Sequence, residues 1–155
     1  MSHSRLRCIP SVFDQQCKEH SRFAPVLHWI TFGRGRLIYG ESKYKRELSK
    51  LPKYIPRIVE LNRQGRLIEL QGEAVDAAAM DAKAKVKSKK FNDEHIVGMV
   101  VVSGCRIVCT DDKESYPFLK RRDLYPKGVK LPKIYNGRRH ATLCCNQYLV
   151  SICRS

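Results

Sequence analysis

The sequence predicts an α/β fold with a mainly parallel sheet covered on both faces. Short apolar runs recur along the chain, and stretches of helical pattern separate them. None of these runs shows a clean polar face, so each suits burial on two sides, as parallel strands are buried. No internal repeat or low-complexity linker breaks the alternation, and residues 1–155 are expected to form one domain.

The elements follow in order. Phe23 to Phe32 carries Val26, Leu27 and Ile30 at helical spacing and ends at Gly33 and Gly35. Arg36 to Tyr39 is a short apolar strand stopped by Gly40. Glu41 to Asn62 has a helical pattern that Pro52 and Pro56 divide or kink. Arg66 to Leu70 is a second strand after Gly65. Glu73 to Lys90, rich in Ala and Lys, is expected as an exposed helix. Asn92 to Ser103 is a buried one, leading through Gly104 into the strand Cys105 to Cys109. A short helix or turn over Tyr116 to Leu124 precedes a last strand, Lys130 to Tyr135. Arg138 to Cys153 is expected to close the chain as a helix or strand–helix piece.

Charge is the strongest compositional feature. Thirty Lys and Arg stand against 15 Asp and Glu, a net +15, and such a field favours a polyanion, nucleic acid before an anionic membrane surface. The longest apolar run, Ile96 to Val102, is far short of the roughly 20 residues a membrane helix needs. The amino terminus lacks the apolar segment of a secretory signal, so a cytoplasmic setting is expected. Seven cysteines without a CxxC pair are expected as small buried apolar residues rather than zinc ligands or disulfides.

Against this basic background a few acids fall where ligands bind parallel sheets, at the carboxyl ends of strands. Asp111 and Asp112 follow the strand Cys105 to Cys109. Asp93 opens the helix before that strand, and Glu47 lies on the helix after the first clear strand. The topology can bring Glu47, Asp93 and Asp111 or Asp112 to one edge. Clustered carboxylates repel unless a cation sits among them, and oxygen-only ligands select Mg²⁺ or Mn²⁺, ions that activate water against phosphodiesters. Lys83, Lys85, Lys87, Lys89 and Lys90 precede Asp93, and Lys120, Arg121 and Arg122 follow Asp112. These cations could hold a nucleic-acid backbone. Each acid also has a plainer use: Asp93 as an N-cap or first-turn acid, Asp112 as a helix cap, Glu47 paired with Lys43 or Lys50.

The stretch FNDEHIVGMVVVSGCRIVCTDDKESYPFL resembles the second half of a PIN domain, the nuclease fold of VapC-type toxins. There a carboxylate opens an apolar helix, and a small-residue–Gly turn leads to a strand ending in Thr-x-Asp. GRGRLIYGESKYKREL is similar to the family's earlier segment, with a Glu just before Leu. The resemblance spans roughly residues 8 to 135. It implies a three-layer α/β/α sandwich and divalent-metal-dependent endoribonuclease activity. Frequent homodimers and, for toxins, a neutralising antitoxin are implied as well.

Carried over by residue, Glu47 matches the second family acid, Asp93 the third, and Asp111 or Asp112 the fourth. Thr110 stands at the threonine, and Ser11 at the family's Asn/Ser position. The first family acid belongs two residues earlier, where this chain has Ile9; Asp14 is the first acid in the chain and the candidate substitute as a metal ligand. Two other readings stand beside the nuclease. One is a catalytically degenerate protein on this fold that binds RNA or DNA. The other is a basic module that recognises an acidic protein partner.

Overall fold

The computed structural model describes residues 12–40 and 49–153. Its strands pair two by two, and both pairs are parallel. β1 (Leu37–Tyr39) lies beside β2 (Leu67–Glu69) with Leu37 opposite Leu67, and β3 (Ile107–Cys109) lies beside β4 (Lys133–Tyr135) with Ile107 opposite Lys133. The helices are α1 (His20–Phe32), α2 (Ile55–Arg63), α3 (Gly72–Lys85), α4 (Glu94–Ser103) and the short α5 (Tyr116–Leu119). Mixed α/β structure with parallel pairing is therefore present, in the expected order.

Alternation along β3 and β4 divides the core. Val108 packs with Ile96, Val97 and Val100 of α4 and with Ala82 of α3, and Ile134 joins that cluster. Tyr135 turns the other way, among Phe23, Val26 and Ile30 of α1 and Ile58 and Leu61 of α2, with Ile107 and Cys109 beside it. Successive side chains of a strand leave opposite faces, so helices cover this pair on both sides. Gly98 permits the close packing of α4 on α3, because a Cβ there would lie 2.6 Å from the Val75 carbonyl oxygen.

Prolines set several boundaries. Pro52 and Pro56 stand in the first turns of a 3₁₀ turn (Pro52–Tyr54) and of α2, where a missing N–H costs little. Pro25 lies inside α1 and cannot donate to the Ser21 carbonyl one turn earlier. That carbonyl instead accepts from Arg138 Nε at 2.8 Å. Gly104, with φ 70°, ends α4 in the left-handed conformation that glycine tolerates best.

Two expectations are corrected. The Ala/Lys helix stops at Lys85 rather than Lys90, because buried Val86 turns extended to enter the core with Phe91. The closing segment forms no α-helix but separate 3₁₀ turns, Arg138–Leu143, Asn146–Tyr148 and Ser151–Cys153. The first of these buries no side chain, so no apolar face exists to hold a longer helix.

Candidate nucleic-acid interface at the carboxyl ends of β3 and β4

Beyond β3, Thr110 extends the ladder through its amide to the Tyr135 carbonyl at 3.1 Å, and it is buried. Its hydroxyl accepts from the Asp112 amide at 3.2 Å. Asp112 Oδ1 in turn accepts from the Glu114 amide at 3.1 Å, and the Ser115 hydroxyl donates to the Asp112 carbonyl at 2.6 Å. Asp112 therefore caps the 3₁₀ turn Lys113–Ser115, the plainer of its two expected uses.

Asp111 is held differently. Its Oδ1 is buried and has no hydrogen-bond partner. Leaving a buried polar oxygen unpaired costs about 1–3 kcal/mol, more if charged. Arg22 lies within its electrostatic reach. The Arg22 pKa is raised first by Glu19, whose Oε2 is 2.7 Å from Nη1, and then more weakly by Asp111.

The end of β4 closes the same edge. Tyr116 donates its hydroxyl to the Thr110 carbonyl at 3.0 Å and accepts from Asn136 Nδ2 at 3.0 Å, tying the two strand ends together. Arg22 Nη2 donates to the Asn136 carbonyl at 2.6 Å. His140 Nδ1 accepts from the Asn136 amide at 3.3 Å, which leaves the proton of the neutral ring on Nε2. Burial, then the nearby charges of Arg139 and Lys120, push the His140 pKa down, so the ring is neutral at pH 7.

The other expected site residues divide. Asp93 occupies the position before α4, is almost fully buried, and makes no cap bond to the helix. Only Gly104 to Arg106 separate α4 from β3, and Ile96, Val97 and Val100 of α4 share a core cluster with Val108 of β3. Asp14 is occupied: Oδ2 meets Lys53 Nζ at 2.8 Å and the Tyr54 hydroxyl at 3.2 Å, and Oδ1 accepts from the Gln16 amide at 3.0 Å. Glu47 and Ser11 lie outside the described residues. Among the described residues, no three His, Cys, Asp or Glu side chains gather closely enough to share a metal ion.

Of the expected cations, Lys87, Lys89, Lys90 and Lys120 are exposed. Arg121 and Arg122 also make bonds within the protein. Arg121 grips Asp123 through Nε at 3.0 Å and Nη2 at 2.6 Å, and Arg122 donates to the Val129 carbonyl at 2.8 Å. Sequence reasoning missed Arg22, Asn136, Arg139 and His140. Their signals were Asn-Gly-Arg-Arg-His directly after the last strand and a proline inside the α1 pattern. It also passed over Glu94, a buried carboxylate 3.4 Å from His95 Nε2 and 3.9 Å from Lys83 Nζ.

Comparison with protein-family models, with curated proteins and with solved structures finds no match. Among the described residues, no helix is long and apolar enough to cross a membrane.

Proposed function

We propose that this chain is a PIN-type, divalent-metal-dependent endoribonuclease acting on RNA at the carboxyl ends of β3 and β4. The observation that carries the reading is the Asp111 carboxylate, whose buried Oδ1 lacks a hydrogen-bond partner at a strand end within reach of Arg22. A group kept in so costly a state marks a functional position.

Asp111 and buried Asp93 are hard oxygen donors of the kind Mg²⁺ and Mn²⁺ take, and Asp112 retains a second oxygen beyond its cap. Among the described residues these acids do not form a three-group cluster, and Glu47, outside them, is the remaining acid that the resemblance assigns to the metal. Asp14 does not fit, since both its oxygens are engaged. When bound, such an ion polarises a phosphoryl oxygen and lowers the pKa of a bound water. The chain's own part is positioning: Arg22 and Lys120 attract the phosphodiester, and neutral His140 offers Nε2–H as a donor. The reading carries with it one domain, a three-layer α/β/α sandwich with one central sheet, a cytoplasmic setting and, on the toxin branch, a homodimer and an antitoxin. Helices on both faces of β3 and β4 support that architecture.

RNA or DNA binding without hydrolysis is the second reading. It is favoured by the lack of a three-group cluster among the described residues and by Ile9 at the first acid position. The deciding experiment incubates RNA with wild type, Asp111→Asn and Asp93→Asn in Mg²⁺, Mn²⁺ or chelator. Cleavage that disappears with chelator and in both variants supports the nuclease. Cleavage indifferent to all three refutes it, and salt-sensitive binding without cleavage in either metal selects the second reading.

A further inference from the structure

Five basic residues meet where α1, α5 and the end of β4 come together: Arg22, Lys120, Arg138, Arg139 and His140. We infer that the Asn136–His140 loop, with Arg22 and Lys120, seats one backbone phosphate of RNA beside Asp111. The inference rests on the RNA-acting reading above and assigns the place of contact.

The loop is built before any ligand arrives. The His140 amide donates to the Gly137 carbonyl at 2.9 Å, and the His140 ring accepts from the Asn136 amide. Arg22 holds the Asn136 carbonyl from one side, and Tyr116 holds the Asn136 amide group from the other. Arg138 is anchored through Nε on the carbonyl that Pro25 leaves free, and no hydrogen bond within the described residues occupies its two terminal nitrogens. A guanidinium fixed at one nitrogen and open at the others suits the paired oxygens of a phosphate.

The local balance of charge also calls for an anion. Arg139 and Lys120 both act on His140, yet neither forms a salt bridge among the described residues. Arg139 makes one long contact, Nη2 to Asn136 Oδ1 at 3.4 Å. Glu19 is already taken by Arg22. The backbone is open at the centre, since a Cβ on Gly137 would meet only Arg22 Nε, at 3.8 Å. Arg121 and Arg122, nearer in sequence to the acids, bond Asp123 and the Val129 carbonyl and are not assigned to the seat.

The test is equilibrium binding of a fluorescently labelled single-stranded RNA oligonucleotide in chelator, across a range of salt. Arg138→Gln and Arg139→Gln are each expected to weaken binding several-fold and to reduce the salt slope by about one unit or slightly less. Arg138→Lys should recover only part of the loss, because it restores charge without the fork. Lys130→Gln, at an exposed position before the other end of β4, should bind as wild type and controls for net charge. Thermal melting checks that each variant is folded. Losses as large in Lys130→Gln, unchanged binding in folded Arg138→Gln and Arg139→Gln, or competition by polyglutamate equal to that by RNA would each overturn the seat. A wild type that binds but never cleaves, with the arginine variants weakened, removes the nuclease and keeps the seat. Cleavage and binding unaltered in the folded arginine variants remove the seat and keep the nuclease.

Discussion

Asp14, Asp93, Asp111 and Asp112 are one residue type in four environments. Asp112 is a cap, and Asp14 is a partner for Lys53 and Tyr54. Asp93 is buried without capping its helix, and Asp111 keeps a buried oxygen without a partner. A group that costs stability where it stands can be replaced without loss of fold. Asp111→Asn is therefore expected to melt at or above the wild-type temperature while losing RNA cleavage by roughly 100-fold or more, measured by calorimetry and a cleavage assay on the same preparation. Asp14 behaves oppositely. The Lys53 ammonium, then the Gln16 amide, hold its carboxyl below the ordinary range. A depressed folded pKa contributes stability above the unfolded value of about 3.9, and that contribution fades as pH falls through the folded value. Asp14→Asn should thus be less stable than wild type at pH 7. The two should converge as pH falls through the folded value, as urea unfolding at several pH values would show.

Among the elements, the packing of α4 on α3 is the most exacting. The Val75 carbonyl and the Ala79 amide nitrogen stand 2.6 and 3.1 Å from the Cβ that an alanine at Gly98 would carry, and both are helical backbone that cannot easily yield. Gly98→Ala should cost about 1–3 kcal/mol, visible as a lower urea midpoint with an unchanged slope. Four strands and four of the longer helical segments were legible in the residues, because apolar runs and their Gly and Pro boundaries are local signals. Local signals failed where tertiary demands overrode them. Val86 leaves a good helix pattern to fill the core, and Arg138 to Leu143 turns tightly while Arg138 reaches Ser21 and the Asn136 amide reaches His140.

At the scale of the whole molecule, the net +15 is not one uniform field. Arg66 serves the carboxyl end of α1, donating to the Ile30 carbonyl at 2.7 Å and the Gly33 carbonyl at 2.8 Å. Arg121 and Arg122 brace their own turn. Exposed cations include Lys120, Arg138 and Arg139 at the β3–β4 edge and Lys87, Lys89 and Lys90 before α4. RNA affinity of the wild type is accordingly expected to fall at least about tenfold between 50 and 200 mM salt. A binding isotherm indifferent to salt would remove the polyanion from the account.

The sequence by itself determined the excess of positive charge, the order of strands and helices, and the acids that could stand at a strand end. Those properties are additive or local, so each can be read one segment at a time. Tertiary structure alone decided which acid is left unpaired and which arginines are free. Capping, burial and ion pairing depend on what the rest of the chain brings to a residue. Asp111 and Asp112 are neighbours in sequence, yet it is Asp112 whose Oδ1 accepts from the Glu114 amide and caps a turn, while Asp111 Oδ1 has no partner. Arg138 lies far from α1 along the chain, and a proline in that helix gives it its anchor.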